Sequence, residues 1–268
     1  MTRRQIGPPG LAVPVAVAGA VLLACCAAPP QAVAPATAPA SPPMPAPASP
    51  AATAPAEPAC VAAGRPSPDD AVISVRGPGG VFPAVVLGRG RRTVVLSDQS
   101  DRDLCSWLPT ARRLTGAGYR VVLWDYDAGY PVQELSAVVA AVRAAGAGPV
   151  ALLGASKGAK TSVVAAAGLR PAVAGVAALS AEQVLSPDTA VVDYVPRLPC
   201  PLLLVTSVDD PWGSASAADA FRVAARPGTA QVVALPGAAH GVDLLSGPTA
   251  DAASAAVDGF LLRVLGSA

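Results

Sequence analysis

One histidine, His240, and two lysines, Lys157 and Lys160, are all that these 268 residues hold of those types. With a single imidazole, and five cysteines (25, 26, 60, 105 and 200) that form no C-x-x-C pair, the chain lacks the ligand spacing of a zinc cluster. A metal-dependent mechanism is therefore disfavoured. Charge is scarce too: 14% of residues are charged, and nineteen basic against eighteen acidic side chains leave a net charge of +1. No basic face or arginine cluster suited to neutralising phosphates is visible, which argues against nucleic acid as a partner. The longest apolar stretch near the start, Leu11 to Ala24, is too short to cross a bilayer as a helix, which takes about 20 residues. The 52% hydrophobic content owes much to Ala and Val, and does not by itself indicate a polytopic membrane protein.

What is present divides in two. The first sixty residues open on M-T-R-R-Q, a short basic region, followed by that apolar stretch, which suits the core of an export signal. It ends L-L-A-C, which resembles the lipobox of bacterial lipoproteins. The resemblance implies cleavage after residue 24 and a diacylglycerol thioether on Cys25, holding the protein to the outer face of the cell membrane. The alternative is an ordinary signal cleaved in the A-C-C-A-A region, giving a soluble secreted protein. From Ala27 to Ala59 the chain is almost wholly Pro, Ala, Ser and Thr, with eleven prolines in thirty-three residues. Such a segment buries too little apolar surface to offset its ordering entropy, so a disordered linker is expected. Proline biases it towards an extended stalk of roughly 100 Å, at about 3.1 Å per residue. The expected organisation is a signal peptide (1–24), a lipid-anchored linker (25–59) and a globular domain (60–268).

The domain alternates β-rich runs and helical patterns. A-V-I-S-V and V-F-P-A-V-V-L, separated by G-P-G-G, predict an antiparallel hairpin. Later runs, from T-V-V-L-S to A-Q-V-V-A-L-P, are continuously apolar, the mark of parallel strands covered on both faces. Helices are expected over 104–117, 133–145, 157–168, 214–225 and 248–265. The fold class is α/β: a doubly wound, mostly parallel, eight-stranded sheet with helices on both faces.

Between the strand at 149–153 and its helix lies Gly154-Ala155-Ser156-Lys157-Gly158, a G-x-S-x-G. At a strand-to-helix turn this motif strains the serine backbone and exposes its hydroxyl at the carboxyl edge of the sheet. The helix start adds partial positive charge where an oxyanion would form. A serine hydroxyl is a weak nucleophile and needs a base, which in turn needs an orienting carboxylate. His240 follows the last predicted strand, and Val208-Asp209-Asp210-Pro211 follows the penultimate one, so the order is Ser, Asp, His.

With these residues in place, the domain resembles an α/β-hydrolase from residue 71 onward. The resemblance implies Ser156 as nucleophile, His240 as general base and, because S-V-D-D-P is similar to the family's G-x-x-D-P, Asp210 rather than Asp209 as orienting acid. The segment after the third strand is similar to small secreted hydrolases that carry a histidine where Asp98 stands. That alignment implies an oxyanion hole made by the backbone N–H groups of Gln99 and Lys157. A carboxylate at position 98 would oppose the developing charge unless it points away or is paired. Either lysine is a candidate partner for Asp98, or a site of attraction for an anionic substrate, or an ordinary exposed side chain.

The stretch from Ala181 to Pro199, where a lid usually sits, has room for barely one short helix. A capless, open site without a cofactor is expected, acting on small or exposed carboxylic esters or thioesters through an acyl-Ser156 intermediate, in a monomer. Trp212 is a candidate wall of the acyl pocket or, equally, a core residue or loop anchor; Trp107 and Trp124 are expected in the core, and Tyr126 and Tyr130 lie where a substrate could touch them. Cys60, Cys105 and Cys200 allow one disulfide in any pairing after export. The acyl and alcohol groups are open, as is hydrolysis against acyl transfer, and the rival function is a non-catalytic, lipid-anchored binding or scaffold protein on the same fold.

Overall fold

Strands form where the sequence carries unbroken apolar runs. The computed structural model describes residues 58–62 and 67–266. The expected export signal, Cys25 and the linker up to residue 57 lie outside the described residues, which all belong to the compact unit Ala51–Ala268. β1 (Ala71–Gly77) and β2 (Gly80–Leu87) pair as the antiparallel hairpin, with Gly77 opposite Gly80. β2 then pairs antiparallel with β4 (Arg120–Trp124). The rest of the sheet is parallel: β3 (Thr93–Ser97), β5 (Val150–Ala155), β6 (Gly175–Leu179), β7 (Leu202–Ser207) and β8 (Ala230–Leu235). The order across the sheet is β1-β2-β4-β3-β5-β6-β7-β8, eight strands as expected.

Helices cover both faces. α2 (Pro131–Ala144), α3 (Lys157–Gly168) and α4 (Ser214–Ala224) pack on one face through residues such as Leu135, Val163 and Phe221, against Val150 and Leu152 of β5. α1 (Leu108–Gly116) and α5 (Ala250–Leu265) pack on the other through Leu114, Val257 and Phe260, against Ala151 and Leu153. β5 alternates between two buried faces, and apolar residues suit both, so its sequence reads as one apolar run. Trp107 and Trp124 are fully buried, as expected.

β3 lies between β4 and β5, with Ser97 opposite Gly154. The chain leaves β3 through α1 on one face and reaches β5 through α2 on the other. Such a reversal opens a crevice at the carboxyl ends of the two strands, where ligands bind in doubly wound sheets. Ser156 and Gln99 sit on its two sides.

Three local expectations are corrected. The helix expected from residue 104 begins as a 3-10 turn, Leu104–Trp107, and becomes α-helical at Leu108. An α-helix starting earlier would place Pro109 in its interior, where the missing N–H and the ring are not tolerated. The last helix likewise opens with a 3-10 turn, Gly247–Thr249. The stretch 181–199 holds no α-helix; it forms a short hairpin, Val184–Ser186 with Thr189–Ala190, and two 3-10 turns. No cap covers the sheet edge there. Cys60 is bonded to Cys105, with Cα atoms 5.9 Å apart, and Cys200 is a buried free thiol.

Candidate active site

Ser156 has φ 47° and ψ −111°, a conformation that non-glycine residues avoid. The flanking glycines permit it. A Cβ on Gly154 would lie 2.2 Å from the carbonyl oxygen of Gly158, and one on Gly158 would lie 2.1 Å from that of Ser97. The second contact also presses the end of β3 against the first turn of α3. The start of the loop that carries Gln99 is thereby held close to the turn between Ser156 and α3, with the Asp98 carbonyl oxygen 2.7 Å from the same Cβ position. As the first residue of α3, Lys157 has an N–H with no partner inside the helix.

His240 follows β8 and Asp210 follows β7. Nδ1 of His240 lies 2.8 Å from Oδ2 of Asp210, whose side chain is fully buried. The Asp210 carboxylate also accepts hydrogen bonds from the Ser214 hydroxyl and, at 2.9 Å, from the Trp212 N–H. Burial alone would raise its pKa, but the bonds from Ser214, Trp212 and His240 outweigh it and hold the group below its ordinary value. Asp209, the second choice, is exposed in the turn. Of the two aspartates, the structure places Asp210 against His240.

Sequence reasoning missed Glu182. Ser180, just past β6, takes φ 49°, and its hydroxyl accepts the Gly241 N–H at 3.0 Å. Two residues on, the Glu182 carboxylate sits between nucleophile and base. Its Oε1 accepts the Ser156 hydroxyl at 2.9 Å and lies 3.6 Å from Nε2 of His240. Its Oε2 lies 2.8 Å from Nζ of Lys160, an ion pair. No motif marks Glu182; only the adjacency of β5 and β6 brings it to the serine.

No protein-family model and no curated protein matches the sequence. Solved structures do match. The esterase domain of a Rhodothermus marinus protein superposes with a TM-score of 0.60 at 21% identity, over 72% of this chain and 98% of its own. A Pyrococcus furiosus esterase gives 0.62 at 14%, over 74% and 92%. A dienelactone hydrolase from Anabaena variabilis gives 0.61 at 16%, over 73% and 98%. The domain has the α/β-hydrolase fold.

In this hydrolase-fold domain the side chain of Gln99 acts as a clasp. Its Oε1 accepts the Val242 N–H at 2.9 Å while its Nε2 donates to Asp101 at 2.7 Å. The loop carrying His240 is thus tied to the loop after β3. A Cβ on Gly241, at φ 60°, would stand 2.0 Å from Gln99 Oε1, which explains why a glycine follows the histidine.

The concern over Asp98 resolves differently from expectation. Neither lysine pairs with it. Lys157 lies over the Tyr126 ring, 3.9 Å from its centroid, and burial lowers its pKa; Lys160 pairs with Glu182. Asp98 is 1% exposed, and burial, a hydrogen bond with Asp125 and the Asp125 charge push its pKa to about 9. At neutral pH it carries a proton, so position 98 places no charge beside the Gln99 backbone. Ser106 donates to its Oδ1 at 3.3 Å, and Tyr126 donates to its backbone carbonyl at 2.8 Å. Tyr126 is thus a support for the loop. Trp212 is 68% exposed with its ring 6.0 Å from that of His240, at the rim and not in the core. Tyr130 is also exposed.

Proposed function

We propose that the domain is a serine hydrolase that cleaves carboxylic esters or thioesters of small or exposed substrates. The observation that carries this reading is the hydrogen bond from His240 to the buried Asp210 beside a backbone-strained Ser156, with Ser156 Oγ and His240 Nε2 converging on the same Glu182 oxygen at 2.9 and 3.6 Å. In the reaction, His240 Nε2 takes the Ser156 proton as Oγ attacks the carbonyl carbon. The N–H groups of Gln99 and Lys157 receive the oxyanion. The bond to the leaving alcohol or thiol breaks, and His240 returns the proton to that group. Water, deprotonated by His240, then attacks acyl-Ser156 and releases the acid. Asp210 holds the imidazole and stabilises its protonated form. In the resting arrangement the serine proton is directed to Glu182, so substrate entry must free that hydroxyl for Nε2.

A fluorophosphonate probe should label the protein, and Ser156→Ala should abolish the labelling. The hydrogen bond from Ser156 to Glu182 is the observation that favours a second reading, a non-catalytic binding protein on this fold. An unreactive, folded protein would decide for it. Export, either to the outer face of the cell membrane through a lipid on Cys25 or as a soluble secreted protein, is supported by the Cys60–Cys105 disulfide, a bond that belongs to oxidising compartments. Cys25→Ser should release the protein into the medium; unchanged membrane retention would rule the lipid out.

A further inference from the structure

The hydrolytic cycle does not use Glu182, yet no other carboxylate approaches Ser156 as closely among the described contacts. Its two oxygens are not equivalent. Oε2 is held by Lys160, on the first turn of α3, where the Lys160 N–H bonds the Ser156 carbonyl at 3.0 Å. Oε1 is the oxygen turned to the reaction centre, 2.9 Å from Oγ. The carboxylate of Asp210 is committed to His240, Ser214 and Trp212 and faces away from Oγ across the imidazole.

A substrate poised for attack places its carbonyl carbon about 3–3.5 Å from Oγ. A nitrogen on the adjoining carbon lies two bonds further, about 2.5 Å from that carbonyl carbon. An ammonium there falls within ion-pair reach of Oε1. From this juxtaposition we infer that Glu182 reads a positive charge on the α-carbon of the acyl group, so that the preferred substrates are esters or thioesters of α-amino acids. The inference rests on the hydrolase reading and adds the substrate class. A neutral ester breaks the Ser156–Glu182 hydrogen bond and leaves Oε1 beside the developing oxyanion, a like-charge contact. An α-ammonium ester replaces that bond with a charge-assisted one and neutralises the oxygen. An ester with a carboxylate at the same carbon meets repulsion. Lys160 is a positioning residue, keeping Oε2 engaged so that Oε1 stays turned to the substrate.

The test uses the full chain and the phenyl esters of alanine, propionate and malonate (half-ester), at pH 6, where an α-ammonium with an ordinary pKa near 8 is charged. The wild-type preference for alanyl over propionyl ester should exceed that of Glu182→Gln at least tenfold in kcat/KM; comparing the two ratios cancels the intrinsic reactivity of the esters. The malonyl ester should be the poorest wild-type substrate, and Lys160→Met should narrow the alanyl preference. On the wild type alone, alaninamide should inhibit propionyl ester hydrolysis at a concentration at least tenfold below propionamide, a readout that does not depend on a variant folding. Equal ratios in wild type and Glu182→Gln, equal inhibition by the two amides, or a malonyl preference pointing to Lys160 as the reader of charge would overturn the inference and leave the hydrolase reading standing. Turnover of no ester above the Ser156→Ala background, with no fluorophosphonate labelling, would remove both.

Discussion

Asp98→Asn should make the protein more stable as pH rises, relative to wild type. The carboxyl is 1% exposed and its pKa stands near 9 in the folded protein, against 3.8 when exposed in the unfolded chain. Between those values the native state holds a proton that the unfolded state has released. Stability therefore falls with pH over that window, by about 1.4 kcal/mol per pH unit for one proton. Below pH 3.8 both states are protonated and the effect vanishes. An asparagine keeps the shape and can accept from Ser106, but has no proton to lose. Between pH 5 and 8 the difference in unfolding free energy should shift by about 4 kcal/mol in favour of the variant, less whatever relaxation admits water to the carboxyl. Urea unfolding of both proteins at pH 5, 6.5 and 8 reads this directly, because packing offsets from the amide do not vary with pH. A difference that stays flat within about 0.5 kcal/mol would show that Asp98 is ionised in the native state, and the account of its neutrality would be wrong.

The remaining predictions concern the supports of the site. Asp210→Asn should retain the fold but lower kcat by about four orders of magnitude, measured on any hydrolysed ester, through loss of the correct imidazole tautomer. Gly241→Ala places a Cβ 2.0 Å from Gln99 Oε1 in a left-handed backbone; it should lower the melting temperature and reduce kcat more than it raises KM, as the clasp on the His240 loop opens. Cys60→Ser should cost about 4 kcal/mol of stability, given the 45-residue separation of the bonded pair, and a reducing agent should shift the wild-type melt by a comparable amount.

The legible part of the site was the part written in short motifs at element ends. G-x-S-x-G announces its own turn because both glycines are needed for close approach, at Gly158 O and Ser97 O respectively. Asp210 and His240 could be placed because each follows an apolar run, and a parallel sheet sends all such ends to one edge. The continuous runs gave the sheet its class for the same reason. What stayed hidden depends on which edges become neighbours. Glu182 reaches Ser156 because β6 lies beside β5, and Lys160 finds it from the helix above; in sequence, Glu182 is a charged residue in a loop. The proton on Asp98 comes from its burial beside Asp125, at the end of a strand twenty-seven residues away. The Cys60–Cys105 pairing joins a helical turn ahead of the first strand to the turn after β3, which no spacing rule foretells. Among the helices, Pro109 was the signal that would have moved the start of α1 to Leu108.

Asp98 and Glu182 together set an alkaline limit on the proposed chemistry. Asp98 adjoins Gln99, whose N–H is a proposed donor to the oxyanion, and Glu182 stands 2.9 Å from the nucleophile on the other side. Were both ionised, two negative charges would flank a third as it forms. The proton on Asp98 removes one of them, and it is lost as pH passes about 9. The kcat/KM profile should therefore fall on that limb in wild type, since the ionised form opposes the transition state. In Asp98→Asn the limb should move to higher pH, because the amide stays neutral throughout. Deprotonation of Lys157, whose pKa burial also lowers, would weaken the site in both proteins alike, so the comparison isolates Asp98. Identical alkaline limbs in the two proteins would mean that the carboxyl at 98 is electrostatically silent at the reacting centre, whatever it contributes to folding.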